Sequence, residues 1–270
     1  MEGFILNHSN NSVWYGTFTH FDKLNIVHGI SSRLGGTSKQ PFASLNLGLH
    51  TGDEDQQVIT NRQLFCHGVG VEADNIVTAE QIHLDKVAVV GLEHLGKGSR
   101  IYSEAIGETD ALITNVPGVP LMLFFADCVP VVIVDPVKKV IGIAHAGWKG
   151  TVDHIGQKTV LAMQNHFGTD PQHCLVGIAP SIGPCCYEVD DVVINKFKKK
   201  FENWEQLITQ KGSKWHLDLW QANRVQLEQI GVQASNIVVS KVCTVCNSEL
   251  FFSYRAENGC TGRMGAVIVL

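Results

Sequence analysis

A cysteine and a histidine stand at matching ends of two apolar runs in the stretch ADCVPVVIVDPVKKVIGIAHAGWKG, residues 126–150. If the runs form a hairpin whose turn is centred on Pro136 and Val137, Cys128 lies directly opposite His145. Directly opposed residues project from the same face of a sheet, with Cβ atoms about 5 Å apart. A thiolate and an imidazole at that separation can share a metal ion or a proton. The residues alone equally allow a packing thiol and a strand-ending histidine, because a one-residue slip would put the two side chains on opposite faces.

The segment that follows this histidine has the composition of an anion-binding turn. AHAGWKGT, residues 144–151, places Gly147, Lys149 and Gly150 at the start of a helix that we predict over residues 150–167. Glycines at a helix N-terminus expose backbone N–H groups, and the helix dipole there favours negative charge. A phosphate or a carboxylate is therefore a candidate ligand, with Lys149 as an added cation. An ordinary strand-to-helix turn is the alternative.

The composition is that of a soluble globular protein. The 270 residues are 44% hydrophobic and 17% charged, with a net charge of −5, which predicts a sizeable core. This length allows one large domain or two small ones, and because no repeat or linker marks a boundary we expect a single domain over residues 1–270. The N-terminus lacks a basic segment followed by an apolar core, and the apolar stretch 116–134 is interrupted, so we expect neither a signal peptide nor a membrane span.

Positive charge gathers only at 196–200, so we expect no nucleic-acid or membrane partner. A cytoplasmic location follows, in which the eight cysteines favour free thiols or metal ligands over disulfides.

Strands and helices alternate along the chain, and they must position these residues. Several short runs are apolar on both faces, which is typical of strands covered on both sides. The central runs are joined by hairpin-like turns, which favours an α/β or α+β fold of mixed β-sheets layered with helices over a purely parallel sheet. Strands are predicted over 25–30, 86–90, 119–125, 129–134, 140–146, 174–179, 236–242 and 265–270, and helices over 53–70, 150–167, 190–204 and 219–231.

Six motifs in a characteristic order resemble the YfiH/laccase-domain family. They are SSRLGGTS with SLNLGLHTGD, EQIH, ADCVPV, AHAGWKG, GPCCYEV and FFSYRAENGCTGRMGAV, and the resemblance runs from about residue 29 to residue 270. Bacterial members of this family are described as purine nucleoside phosphorylases, polyphenol oxidases and peptidoglycan-editing factors. Two positions depart from the family pattern. Lys149 stands where arginine is common, which keeps the charge but loses the bidentate fork, and Ala256 stands where a second arginine is common.

The resemblance implies a catalytic metal site, usually zinc, built from His83 of EQIH, Cys128 of ADC and His145 of AHAGW. Three protein ligands leave one zinc position open, which is the catalytic arrangement. A CNF1/YfiH-like fold is also implied, with zinc-dependent purine nucleoside phosphorylase activity on adenosine, inosine and methylthioadenosine, and adenosine deaminase activity. The implied partners are a small-molecule nucleoside and phosphate, in a monomer or small homo-oligomer. The residues assigned to substrate binding are Arg33, Asn46, Gln81 and Lys149.

Three other functions remain open from the residues. A copper-dependent polyphenol oxidase is disfavoured, because multicopper centres use His-x-His pairs and the chain contains none. A metal-free Cys-His hydrolase of nucleotide or cell-wall precursors would use Cys128 as nucleophile and His145 as base. A non-catalytic binding module is the last alternative, and replacing Cys128 would then leave every turnover assay unchanged.

Two further sets of residues are of types that could take part in catalysis or metal binding. Asp110 and Asp127 are candidates for general bases or for groups that orient a histidine. Cys243 and Cys246 have zinc-like CxxC spacing, and the only candidate second pair is the adjacent Cys185 and Cys186. Because adjacent cysteines chelate a tetrahedral ion poorly, we expect packing thiols here and no second zinc. We also expect Arg255 and Arg263 to pair with carboxylates.

Overall fold

The computed structural model of the chain describes residues 3–24 and 26–270. These residues form an α+β fold of three sheets and five α-helices. No helix within this described part combines the length and the apolar composition needed to cross a bilayer. In chain order the strands are β1 (Phe4–His8), β2 (Trp14–Phe18), β3 (Val27–Ser31), β4 (Val87–Val89), β5 (Ala111–Thr114), β6 (Leu121–Phe125), β7 (Val129–Asp135), β8 (Val140–Ala146), β9 (Leu175–Ile178), β10 (Glu188–Val189), β11 (Ile208–Lys211), β12 (Lys214–Leu217), β13 (Ile237–Val239) and β14 (Met264–Val269). The helices are α1 (Asp55–Val69), α2 (Trp148–Val152), α3 (Ile155–Phe167), α4 (Asp191–Lys200) and α5 (Leu219–Gln229).

The central sheet is six-stranded and mixed, in the order β13-β9-β7-β8-β5-β4. Its two outer pairs are parallel and its inner pairs are antiparallel. Every residue of β7 and β8 is buried, as expected for a hairpin covered on both faces. The prediction of mixed sheets around a central hairpin is confirmed.

A second, five-stranded sheet packs face to face on the central one. It is antiparallel, in the order β1-β2-β3-β14-β6. Alternation along β7 sorts its side chains: Val131 and Ile133 join the core under α3 and α5, whereas Val132 and Val134 join the core between the sheets. Helix α1 covers the outer face of the five-stranded sheet. The order of layers is therefore helix, sheet, sheet, helix.

The sequence predicts the elements well, except where local turn chemistry decides. The predicted strands 129–134 and 140–146 match β7 and β8 within one residue. The predicted strand 25–30 is found as β3, while Asn25 lies outside the described residues. The single predicted helix 150–167 is wrong: it is divided into α2 and α3 by His154, whose φ of 64° is left-handed. Strands β1, β2 and β5 and the small sheet β10-β12-β11 are missing from the prediction.

The predicted register of the central hairpin is also wrong. Asp135 pairs with Val140, so the connection has four residues, and His145 pairs with Pro130. The cause is the Asp135 carboxylate, which accepts hydrogen bonds from the N–H groups of Val137 and Lys138 at 2.9 and 3.1 Å and stabilises the longer turn. Cys128 is therefore diagonal to His145 and not directly opposite. The error is an even number of residues, so the two side chains still share a face.

Candidate metal centre

Two imidazoles and one thiol converge at the edge of the space between the two sheets. The ligating atoms of His83, Cys128 and His145 all lie within 4.8 Å of one another. The two imidazole rings are 4.8 Å apart between centroids and nearly perpendicular. His145 is buried, Cys128 is partly buried and His83 is exposed, so the group opens to solvent on one side.

Each ligand comes from a different part of the chain. His145 is the penultimate residue of β8 and lies on the face that meets the five-stranded sheet, 5.5 Å from the ring of Phe125. Cys128 follows Asp127, whose φ of 79° turns the chain sharply between β6 and β7. His83 has a φ of 63° in a loop between α1 and β4. The predicted convergence of the three residues is present in the structure.

A single buried carboxylate organises both histidines. Asp110 is fully buried immediately before β5, and its Oδ1 lies 2.8 Å from Nδ1 of His145. The same carboxylate accepts hydrogen bonds from the backbone N–H groups of Ile82, His83 and Leu84 at 2.8–3.2 Å. Because Nδ1 of His145 is engaged, its Nε2 is the nitrogen left for a metal or a proton. Of the two aspartates suggested by the sequence, Asp110 is the one that orients a histidine.

Asp127, by contrast, serves the loops around the site. Its carboxylate accepts a 2.6 Å hydrogen bond from the Thr244 hydroxyl and a 2.7 Å hydrogen bond from the backbone N–H of Arg255. Its backbone carbonyl accepts from the N–H of Ile182. The residue preceding the thiol is thereby bonded to two distant segments of the chain.

Gly147 leaves the space that the ligands occupy. A Cβ at this position would lie 2.9 Å from Sγ of Cys128 and 3.4 Å from Cδ2 of His83. The first distance is shorter than the contacts that Cβ atoms make in protein structures, so any larger residue would displace the thiol. The glycine that the sequence suggested for anion binding is required here for packing around the ligands.

The charges of these groups stabilise one another. Burial opposes ionisation of Cys128, but the neighbouring His145 and His83 outweigh it and lower the thiol pKa to about 6. Burial likewise opposes protonation of His145, yet Cys128 and Asp110 raise its pKa to about 9. Contact with His145 and the backbone N–H groups lowers the pKa of Asp110 despite its burial. Without a metal, these shifts favour a thiolate and an imidazolium beside the Asp110 carboxylate.

The site forms part of a cavity of about 570 Å³, a size typical of small-molecule sites. Gln81 and Lys149 line it, as the sequence suggested. Both ends of the Gln81 amide are bonded to the backbone of Phe124, so this residue ties the His83 loop to β6. Helix α2 has only five residues, so the predicted helix-dipole contribution to anion binding is small.

Arg33 and Asn46 lie outside the group of residues that line this cavity. Arg33 donates to the carbonyls of Ala43 and Ser248 and pairs with Glu257 at 3.0 Å. The Asn46 amide is fully buried and is bonded within its own loop and to the N–H of Arg263. Both side chains are thus bonded to other parts of the chain, and their contact with substrate stays a prediction.

Sequence reasoning missed most of the cavity wall. Arg255 and Arg263, expected to pair with carboxylates, line the cavity, and their guanidinium groups donate to backbone carbonyls. His50 also lines the cavity, and burial lowers its pKa to about 4. Nothing local in the sequence distinguishes these side chains, because they come from separate loops. The aromatic lining residues are Phe124, Trp148, Tyr187 and Tyr254.

The donor set suits a zinc ion better than a copper cluster. Two imidazoles and a thiolate are zinc ligands, and three ligands leave a position open. A trinuclear copper centre would need several more imidazoles close by. Within residues 3–24 and 26–270, the other group of three or more potential ligands consists of four cysteines.

Comparison with known proteins identifies the relatives of this chain. The sequence model of the family described as multi-copper polyphenol oxidoreductase laccase matches residues 27–270. Purine nucleoside phosphorylase YlmD of Geobacillus stearothermophilus is 41% identical over 244 residues, which are 90% of this chain and 89% of the relative. Adenosine deaminase RL5, from an unknown prokaryotic organism, is 33% identical over 83% of this chain and 86% of its own length. The crystal structure of the hypothetical protein YfiH of Bacillus licheniformis superposes with a TM-score of 0.92 at 36% identity, covering 98% of both chains.

Proposed function

Because this chain belongs to the laccase-domain (YfiH) family, we propose that it is a zinc-dependent purine nucleoside phosphorylase that acts on adenosine and inosine and also deaminates adenosine. Relatives with these two activities in their names cover most of the chain. The observation that supports the proposal most strongly is the meeting of His83, Cys128 and His145 within 4.8 Å, at a cavity that also contains cations and aromatic rings.

The cavity wall offers both kinds of contact that a nucleoside and phosphate need. Four aromatic side chains provide flat apolar surfaces for a purine base. Lys149, Arg255 and Arg263 are cations that suit a phosphate dianion. Asp127, the acidic side chain in the same wall, already accepts two hydrogen bonds, so its charge is partly compensated.

Phosphorolysis requires these groups to hold two reactants in line. A phosphate oxygen forms a bond to the anomeric carbon of the ribose while the glycosidic C–N bond breaks. The electron pair of that bond leaves with the base, which takes up a proton, and the products are the free base and ribose 1-phosphate. The cations of the wall would fix the phosphate next to the sugar, which provides the effective concentration that this bimolecular step needs.

The residues fit the metal that the proposal needs. His83, Cys128 and His145 would hold zinc, which when bound supplies Lewis-acid polarisation and an acidified water. Asp110 keeps the His145 ring in the orientation that leaves Nε2 free. Burial lowers the pKa of His50 to about 4, so this lining residue adds no positive charge to the cavity at pH 7.

The test measures purine release by purified, metal-quantified protein. We expect hypoxanthine from inosine only when phosphate is present, and inosine and ammonia from adenosine when phosphate is absent. The Cys128→Ala variant should lose both activities. Hypoxanthine release that is independent of phosphate would rule out phosphorolysis, and the absence of ammonia from adenosine would rule out deamination.

A Cys-His hydrolase is the second candidate, favoured by the Cys128, His145 and Asp110 arrangement. The thiol pKa of about 6 and the 2.8 Å contact between His145 and Asp110 are those of an activated nucleophile paired with an oriented imidazolium. A chelator and a thiol-alkylating agent separate the two functions. Hydrolysis by Cys128 survives chelation and is abolished by alkylation, whereas the metal-dependent reaction is lost under both treatments.

A further inference from the structure

Four cysteines outside the cavity form a second group of convergent thiols. The Sγ atoms of Cys185, Cys186, Cys243 and Cys246 all lie within 4.8 Å of one another. We propose that these four residues bind a second, structural zinc ion. This site is separate from the one that supports the proposed function.

The distances between the sulfur atoms are close to those of a tetrathiolate site. Sγ of Cys246 lies 3.5 Å from Sγ of Cys185 and 3.4 Å from Sγ of Cys186. In a tetrahedral site with Zn–S bonds of about 2.3 Å, neighbouring sulfur atoms are about 3.8 Å apart. A shift of a few tenths of an ångström would therefore bring these pairs to ligating geometry.

The backbone explains how adjacent cysteines reach one centre. The N–H groups of Cys186 and Tyr187 both donate to the carbonyl of Gly183, at 3.0 and 2.9 Å, and bend the chain into a tight turn. Both sulfur atoms of this turn consequently approach Cys246. The expectation that Cys185 and Cys186 chelate poorly holds for an extended chain, in which neighbouring side chains point to opposite sides. It does not hold for this turn.

The second pair lies on the segment that pairs with this turn. Cys243 and Ser181 form an isolated parallel bridge, and the N–H of Thr244 donates to the carbonyl of Ser181 at 3.0 Å. The N–H of Gly183 donates to Sγ of Cys243 at 3.3 Å, a hydrogen bond that stabilises a thiolate. The spacing of Cys243 and Cys246 is that of a zinc-binding CxxC.

Exposure separates these thiols from ordinary packing cysteines. Cys66 and Cys174 are buried, as a small apolar residue should be. Cys185 and Cys246 are exposed, so burial of an apolar thiol does not account for the cluster. A set of four thiolates leaves no open position on zinc, which is the property of a structural site.

A metal ion bound by these four cysteines would link two parts of the cavity wall. The segment 181–187 contributes Ile182 and Tyr187 to the wall, and the chain following Cys246 contributes Tyr254 and Arg255. Metal binding by the four cysteines would fix these two segments relative to each other. Loss of the metal should therefore loosen the part of the cavity wall that these two segments form.

The test counts zinc in protein purified from zinc-supplemented cells. We expect two zinc ions per wild-type chain and one in the Cys128→Ala variant. Adding Cys246→Ser to Cys128→Ala should remove the remaining ion, whereas adding Cys260→Ser, an exposed cysteine outside the cluster, should retain it. X-ray absorption of the zinc in Cys128→Ala should show four sulfur neighbours at about 2.3 Å.

Two results would overturn the proposal. One is a Cys128→Ala protein that has a native circular dichroism spectrum and contains no zinc. The other is a peptide map in which Cys246 is joined by a disulfide to Cys185 or Cys186. A third variant, Cys185→Ser in the same background, should also lose the ion, so that the outcome does not depend on the folding of Cys246→Ser alone.

Discussion

Asp110 is the residue on which the geometry of the candidate centre depends most. Its carboxylate touches the ring of His145 and three backbone N–H groups around His83. It therefore positions two candidate ligands, His83 and His145, that are 62 residues apart in the sequence. A carboxylate in this position fixes the tautomer of the imidazole and raises its basicity toward a metal.

The variant Asp110→Asn should weaken zinc binding about 10- to 100-fold, the usual effect of removing a carboxylate behind a metal ligand. The amide keeps the shape of the side chain but loses the charge that stabilises His145. Competitive titration against a zinc indicator measures the change. Asp135→Asn is the matched control, because Asp135 is equally buried but lies at the far end of the hairpin. Equal zinc affinities of Asp110→Asn and the wild type would show that Asp110 does not support metal binding.

The thiol itself should show its low pKa in metal-free protein. The pKa of Cys128 is lowered to about 6, so the thiolate persists as the pH falls from 8 and is lost only near pH 6. Rates of alkylation by iodoacetamide at this cysteine, followed by mass spectrometry after chelation, should have their midpoint there. In His145→Gln the midpoint should rise toward the usual thiol value of about 8.5, and an unchanged midpoint would contradict the role of the imidazole.

Only part of the site could be predicted from residue types. Cys128 and His145 are visible because they stand at the ends of two strands that are adjacent in sequence. His83 was assigned by resemblance alone, since nothing in its spacing connects it to the other two. Arg263 and Tyr187 reach the cavity through long-range loop packing, which leaves no local pattern in the sequence. The role predicted for Arg33 stays a prediction, because an arginine in a glycine-rich loop can bind an anion or join loops through backbone carbonyls, as Arg33 does here.

At the level of elements, the turn from β8 into α2 places the cavity next to the ligands. Gly147 is the N-cap of α2, with an extended ψ of 173°. Its missing side chain allows Cys128 and His83 to lie against the backbone. The predicted hairpin register is wrong because the Asp135 turn makes the connection longer than expected. The alternation of strand faces nevertheless places Cys128 and His145 on the same face. Period-two alternation thus predicts a shared face more reliably than it predicts a direct pair.

The variant Gly147→Ala should lower kcat/KM at least about 10-fold, because a Cβ 2.9 Å from the sulfur must displace a ligand. Its φ of −64° is accessible to alanine, so the effect arises from crowding and not from backbone strain. Steady-state kinetics together with bound zinc per chain measure it. Gly107→Ala is the control, as a Cβ there meets nothing within 4 Å. Wild-type kinetics in Gly147→Ala would show that the site tolerates the added methyl group.

Across the whole molecule, two stacked sheets between helices create the edge at which the ligands meet. The sequence predicted mixed sheets and helices but not their stacking, since a run that is apolar on both faces does not reveal whether a sheet or a helix covers each face. The central strand β7 shows this ambiguity, with helices on one side and a sheet on the other. The layer order follows from long-range packing between strands of different sheets, such as β14 and β8.

Arg62 connects the outer helix to this layered core, and its replacement should destabilise the whole fold. The side chain is 2% exposed, donates to the carbonyls of Leu47, Gly98 and Ser99 at 2.7–2.8 Å, and lies over the ring of Phe124. Arg62→Met would leave these carbonyls unpaired inside the protein, which should lower the free energy of unfolding by about 3 kcal/mol. Urea denaturation followed by circular dichroism measures the loss. Arg100→Met, which removes a solvent-exposed pair with Asp74, should leave the unfolding midpoint almost unchanged. Similar midpoints for the two variants would mean that water satisfies the carbonyls that Arg62 now binds.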